Sequence, residues 1–184
     1  IPSYPGTLAV HHARGIYPFY SERSIGAYFH DSSGRKYLDW YMSGGAVALG
    51  HNNPAVCEAI REQIDRGVNL SQPATLEIDV AEQLCALVPT AEMAAFGKNG
   101  TDVTSAAVKL ARIVTRREHL VLCGYHGFQD WSWAAEPHSA GIPAAYRELV
   151  HSFPFNDLAA ATALMERHGP QVAAIVIEPV RYED

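Results

Sequence analysis

Apolar positions at Val103, Ala106, Ala107, Leu110, Ala111 and Val114 recur at spacings of three and one, the repeat of a helix with one buried face. The same reading predicts a helix from Pro54 to Gly67, with Val56, Ile60 and Ile64 on one side. A further helix is predicted over 75–88, through Ile78, Ala81, Leu84 and Val88, and another over 156–168. Between the helices lie short runs that are apolar throughout, at 93–97, 119–123, 149–153 and 172–177. Such runs read as strands buried on both faces. Earlier in the chain, 27–31 and 36–40 alternate as two strands joined by Ser32-Ser33-Gly34, a hairpin signal. Residues 125–147 read as a loop or broken helix.

Strands alternating with helices predict an α/β fold with a mostly parallel sheet flanked by helices. Ligands of such sheets sit beyond the carboxyl ends of the strands. Three segments fall at those ends: 97–102, 124–127 and 178–183.

Composition narrows the partners. Apolar residues make up 48% and charged residues 18%, as in a globular chain. The net charge is −6 with basic residues scattered, which argues against nucleic acid as a partner. No apolar run reaches membrane-spanning length. Cys57, Cys85 and Cys123 lack metal or redox spacing and fit reduced, buried thiols of a cytoplasmic protein. The nine histidines show no HExxH, HxH or Cys/His pattern, so no metal site is expected.

The segment Lys98-Asn99-Gly100-Thr101-Asp102 carries the first chemical signal. It lies between an apolar run and a helix start, where amides lack internal partners and the macrodipole is positive. Gly100 would let a ligand approach the backbone, and Thr101 adds a hydroxyl. Alternatively, Thr101 or Asp102 simply caps the helix. The second signal is Gly124-Tyr125-His126-Gly127, where Tyr125 could lay its ring on a planar ligand or cover the sheet edge. The third is Glu178, which ends an apolar strand and calls for a partner or for nearby amides. Trp131 and Trp133 are expected to pack or to line a pocket rim. P-loop, GxGxxG and GxSxG patterns are absent.

Taken in order, these segments resemble class III aminotransferases, fold-type I enzymes that use pyridoxal 5′-phosphate (PLP), and most of all the glutamate-1-semialdehyde 2,1-aminomutase branch. The resemblance includes Gly34-Arg35-Lys36-Tyr37-Leu38-Asp39, Leu49-Gly50-His51-Asn52-Asn53-Pro54, Asn99-Gly100-Thr101-Asp102, Tyr125-His126-Gly127 and Glu178-Pro179. It implies that Gly100 and Thr101 hold the cofactor phosphate, that Tyr125 stacks on the pyridine, that His126 lies beside it and that Glu178 sits near its reactive side. It also implies amino-group transfer between small donors and acceptors through a Schiff base, in a homodimer. Arg14 and Glu183 are its substrate-facing candidates.

Three departures accompany the resemblance. Asn99 and Asp102 replace the usual serine and glutamate, and Ser43-Gly44-Gly45 lacks the aminomutase tryptophan. The family's catalytic lysine and pyridine-binding aspartate lie downstream of the Glu-Pro strand, and Lys36, Lys98 and Lys109 do not match that lysine. The expectation is therefore an N-terminal portion of a longer enzyme. Residues 1–50 would belong to a small domain and 51–184 to the first part of the large PLP-binding domain. The alternative is a catalytically silent fragment that binds a phosphorylated ligand or a partner chain.

Overall fold

The computed structural model describes residues 20–136 and 139–180. The chain divides into two units, residues 1–77 and 78–184.

The first unit holds an antiparallel sheet of β1 (Ser21–Ile25), β2 (Tyr28–Asp31) and β3 (Lys36–Leu38), in that order. β1 was not expected, because Ser-Glu-Arg-Ser-Ile has no alternating pattern. It pairs with β2 through a register shift near Ser21 and Arg23. The β2–β3 turn is held by the buried carboxylate of Asp31. It accepts from the Ser33 amide and hydroxyl, the Arg35 amide and Nε, and the Tyr37 hydroxyl. The Ser33 hydroxyl contributes most to holding this carboxyl well below the usual range; burial opposes it and the other donors assist. A depressed folded pKa stabilises above the unfolded value of about 3.9 and is lost as pH falls below it. Acidification is therefore expected to loosen this hairpin. In Asp31→Asn the amide-exchange rates of residues 28–38 should already be raised at neutral pH and should lose their acid dependence. An unchanged acid profile in the variant would count against this account.

Asp39 follows β3 and accepts from the Tyr41 and Met42 amides and from His51 Nε2 at 2.6 Å. Burial raises its pKa, but His51 and the two amides outweigh that and hold it low. Gly26 and His51 exchange two backbone hydrogen bonds of 2.8 Å. Gly50 lies across from Gly26 at φ 86°, where a Cβ would stand 3.3 Å from the Gly26 Cα. Asn53 then caps α1 (Pro54–Arg66), and Gly67 ends it as the sequence predicts. The apolar face of α1 stays exposed among the described residues, at Ile60 and Ile64 especially. Cys57 is half-buried and bonds Asn52 Oδ1, and Cys85 is also half-buried; of the three thiols only Cys123 is buried as expected.

α2 (Thr75–Leu87) leads into the second unit, followed by α3 (Gly100–Thr115) and β4 (His119–Cys123). Next come the short helices α4 (Asp130–Trp133) and α5 (Ala144–Leu149) in the segment read as a loop or broken helix over 125–147, which α5 overruns by two residues. β5 (Val150–Ser152), α6 (Leu158–His168), a 3₁₀ turn (Gly169–Gln171) and β6 (Val172–Ile177) complete it. The three strands are parallel in the order β5-β4-β6, so β4 is central. Leu120 and Leu122 meet Val108 of α3, Trp131, Ala134 and Val150 to form the core. The predicted strand at 93–97 is absent. A strand exists only within a ladder, and residues 91–99 run outside the one formed here, with Met93 exposed. Ile175 and Ile177 of β6 are also exposed, so this strand is covered on one face only among the described residues.

At the amino end of the same sheet, three imidazoles gather. His151 and His168 stack at 3.9 Å, and His119 lies 5.2 and 5.6 Å from them, centre to centre. Burial above all, then the facing His168 and His119 rings and the Arg167 guanidinium, hold His151 below the usual imidazole range.

Candidate functional site

The carboxyl ends of the strands open onto a cavity of about 680 Å³, whose wall includes Tyr125, Trp133, Phe153, Phe155 and Glu178. Its floor is a close crossing of two strand ends. The Glu178 amide donates to the Cys123 carbonyl at 2.9 Å, extending the β4–β6 ladder by one rung. The Tyr125 amide donates to Glu178 Oε2 at 3.3 Å. Between them stands Gly124 at φ 93°, where a Cβ would lie 2.5 Å from the Glu178 Cβ and 2.7 Å from its Oε2. Only glycine suits both the dihedral and the space. Glu178 thus has the nearby amide that a strand-end carboxylate needs.

The loop before α3 folds as a capped helix start, but neither Thr101 nor Asp102 is the cap. The Asn99 side chain accepts from the Asp102 amide at 3.1 Å, and the Asp102 carboxylate turns back to the Lys98 amide at 3.2 Å. Gly100 and Thr101 therefore occupy the first two helical positions, whose amides have no intrahelical acceptor. The cap and the anion site are thus compatible, because they use different amides.

Thr101 reaches the 124–127 turn from the side. At Gly127, φ 114°, a Cβ would stand 2.8 Å from Thr101 Oγ1 and 2.5 Å from Gln129 Oε1. Thr104, one turn on, donates to the His126 carbonyl at 3.1 Å, and Gln129 Nε2 donates to the same carbonyl at 2.9 Å. The Trp133 indole donates to the Gly127 carbonyl at 3.0 Å. Four side chains thus brace one turn. Thr104 and Gln129 were missed by the sequence reading. Thr104 had a usable signal, since it follows Thr101 by three residues on one helical face; Gln129 had none. Trp133 lines the cavity, whereas Trp131 is buried and donates to Ser105 Oγ.

The candidate residues fall into distinct positions. Tyr125 is two-thirds exposed (65%) and stands at the cavity wall with Glu178. His126 is buried behind that wall. Its Nε2 has no hydrogen-bond partner among the described residues. Burial holds its pKa below the ordinary imidazole value, while the backbone of Cys123, the Glu178 charge and the backbone of Val176 pull the other way. Thr101 lies beside Gly127, with Gly100 preceding it in the helix, and neither is part of the cavity wall. Arg14 and Glu183 lie outside the described residues.

This donor set suits a flat, anionic cofactor. A helix start with free amides lies beside a glycine turn, and next to it an exposed aromatic ring and a carboxylate share one cavity. A buried imidazole nitrogen stands ready for a partner.

The family described as Aminotransferase class-III matches residues 9–183. Over 175 residues the chain is 35% identical to a glutamate-1-semialdehyde 2,1-aminomutase of Methanosarcina acetivorans, covering 89% of this chain and 41% of that protein. Its backbone is similar to an omega-transaminase from Sphaerobacter thermophilus, with a TM-score of 0.79 and 27% identity, over 97% of this chain and 48% of that one. It is also similar to a transaminase solved with PLP bound, with a TM-score of 0.83 and 25% identity, over 98% and 49%. The chain spans about half the length of these solved relatives, or somewhat less for the curated one.

Proposed function

This chain belongs to the class-III aminotransferase family, and on that premise we propose that it is the cofactor-holding part of a PLP-dependent aminotransferase or aminomutase. In this reading residues 1–50 belong to the small domain and 51–184 to the large one. The observation that carries the proposal is the meeting of Thr101, the 124–127 turn and Glu178 at one edge of the parallel sheet. When bound, PLP supplies the electron sink that lets an amino group pass between small molecules.

The chain's residues hold and orient. The Gly100 and Thr101 amides and the Thr101 hydroxyl bind the phosphate at the helix start. Tyr125 offers its ring to the pyridine face. His126 lies beside the ring and helps shape the pocket; its burial lowers its pKa and so favours the neutral imidazole. Glu178 places a carboxylate on the reacting side. Thr104, Gln129 and Trp133 fix the turn that aligns these groups. Arg14, toward a substrate carboxylate, and Glu183 are the substrate-facing residues. The catalytic lysine and the aspartate facing the pyridine nitrogen come from sequence outside these residues, and the working enzyme is a homodimer.

The test compares PLP with pyridoxal, which lacks the phosphate, by equilibrium binding to the full-length protein. Thr101→Val is expected to weaken PLP roughly 10-fold or more, the worth of one hydrogen bond to a charged group, and to leave pyridoxal unchanged. Tyr125→Ala should weaken both ligands by roughly 3- to 10-fold. Equal affinity for PLP and pyridoxal in the unmodified protein would overturn the phosphate assignment.

A further inference from the structure

The imidazole cluster at the amino end of the parallel sheet takes no part in the site above. His119 opens β4, His151 is the middle residue of β5, and His168 closes α6. His151 is in register with Val121, two residues after His119, so both histidines project from the same side of the sheet. His168 reaches them from α6, and one ligand nitrogen from each ring lies within 4.8 Å of the others. His119 Nδ1 and His151 Nε2 are already 2.9 Å apart. All three rings are half-buried, which leaves a side open to solvent.

From this geometry we propose that His119, His151 and His168 form a three-imidazole site for a divalent transition-metal ion of the zinc type, with solvent as the fourth ligand. A tetrahedral ion with metal–nitrogen distances of about 2.0–2.1 Å sets its ligand nitrogens about 3.3 Å apart. The His119–His151 pair, now 2.9 Å apart, must open slightly, and the His168 nitrogen, within 4.8 Å of both, must settle at the same spacing. The final side-chain torsion of each ring is a soft coordinate, and it is the one that this adjustment uses. The proton shared across the 2.9 Å pair moves to the other nitrogen of its ring, so both facing nitrogens become ligands. Imidazole donors with an open position suit zinc, copper, nickel or cobalt over calcium or magnesium. The ligands are 32 and 17 residues apart in sequence, so no motif spacing could reveal them. The bound ion would tie β4, β5 and the end of α6 together, at the sheet end opposite the cavity.

Arg167, the residue before His168 in α6, brings a positive charge next to a ligand, and a like charge opposes a cation. This gives the proposal a signed test. The full-length protein, stripped with a chelator, is titrated with Zn²⁺ alone against a competing indicator. One strong site is expected. His151→Gln and His168→Gln should each weaken it by more than about 100-fold, beyond the loss seen for an outer-shell partner. Arg167→Gln should tighten it by roughly 2- to 5-fold, as expected for removing one exposed charge. Zn²⁺ should also raise the unfolding temperature of the unmodified protein and not that of the histidine variants. If the variants fold poorly, histidine side-chain NMR on the unmodified protein decides the matter. Substoichiometric Cu²⁺ should broaden the signals of these three rings first. Zn²⁺ affinity unchanged by His151→Gln, or Cu²⁺ broadening other histidines first, would overturn the proposal.

Discussion

Gly124→Ala is expected to destabilise the parallel-sheet unit by about 3 kcal/mol, the sum of backbone strain and overpacking. The strain arises because the residue holds φ 93°, a conformation that side chains rarely adopt. The overpacking arises because the new methyl would meet the Glu178 Cβ at 2.5 Å. A Cβ cannot swing away as the tip of a flexible side chain can, so β6 or the 124–127 turn must move. Gly141→Ala separates the two effects. Gly141 also has positive φ, at 87°, but a Cβ there meets nothing within 4 Å among the described residues. It should therefore show strain alone, about 1 kcal/mol. Denaturant midpoints of the two variants supply the comparison. Equal losses would mean that Glu178 gives way freely and that the crossing does not fix the cavity floor. The larger loss at Gly124 should be accompanied by weaker PLP binding, because Tyr125 and Glu178 are displaced together.

Leu120→Ala should cost about 3–5 kcal/mol, near the upper end for a leucine. Leu120 has no exposed surface and sits mid-strand in the central strand, against Val108, Trp131 and Val150. Atoms on every side belong to regular elements, so the cavity left behind cannot collapse. Leu158→Ala provides the contrast, since Leu158 opens α6 at 79% exposure and should change stability by no more than about 0.5 kcal/mol. A small loss at Leu120 would show that the core repacks.

Much of this architecture was legible residue by residue. β4 and β6 begin and end where the apolar runs do; the central strand β4 buries nearly every side chain it carries, whereas β6 is an apolar run covered on one face among the described residues. The start of α1 was marked by Asn53 and Pro54, and its end by Gly67. The start of α3 was placed correctly, but its cap was assigned two or three residues too late, to Thr101 or Asp102 and not to Asn99. Ser, Thr, Asp and Asn all cap well, and four such residues stand within six positions. β1 escaped notice because a strand of mostly polar residues carries no period. The strand predicted at 93–97 failed for the opposite reason: an apolar run permits a strand, but only a neighbour with free backbone groups makes one.

Local order of residue types determined the helices, the buried strands, the hairpin turn and the three segments that carry the family resemblance. These depend on backbone geometry and on which side chains water excludes, and both are written along the chain. Only the tertiary structure decided which groups share a space. It put Thr101 beside Gly127 and the Glu178 carboxylate on the Tyr125 amide. It also set His126 behind the cavity wall and drew His119, His151 and His168 into one cluster. Distances between residues far apart in sequence follow from strand order and register, and these are fixed by packing the whole sheet.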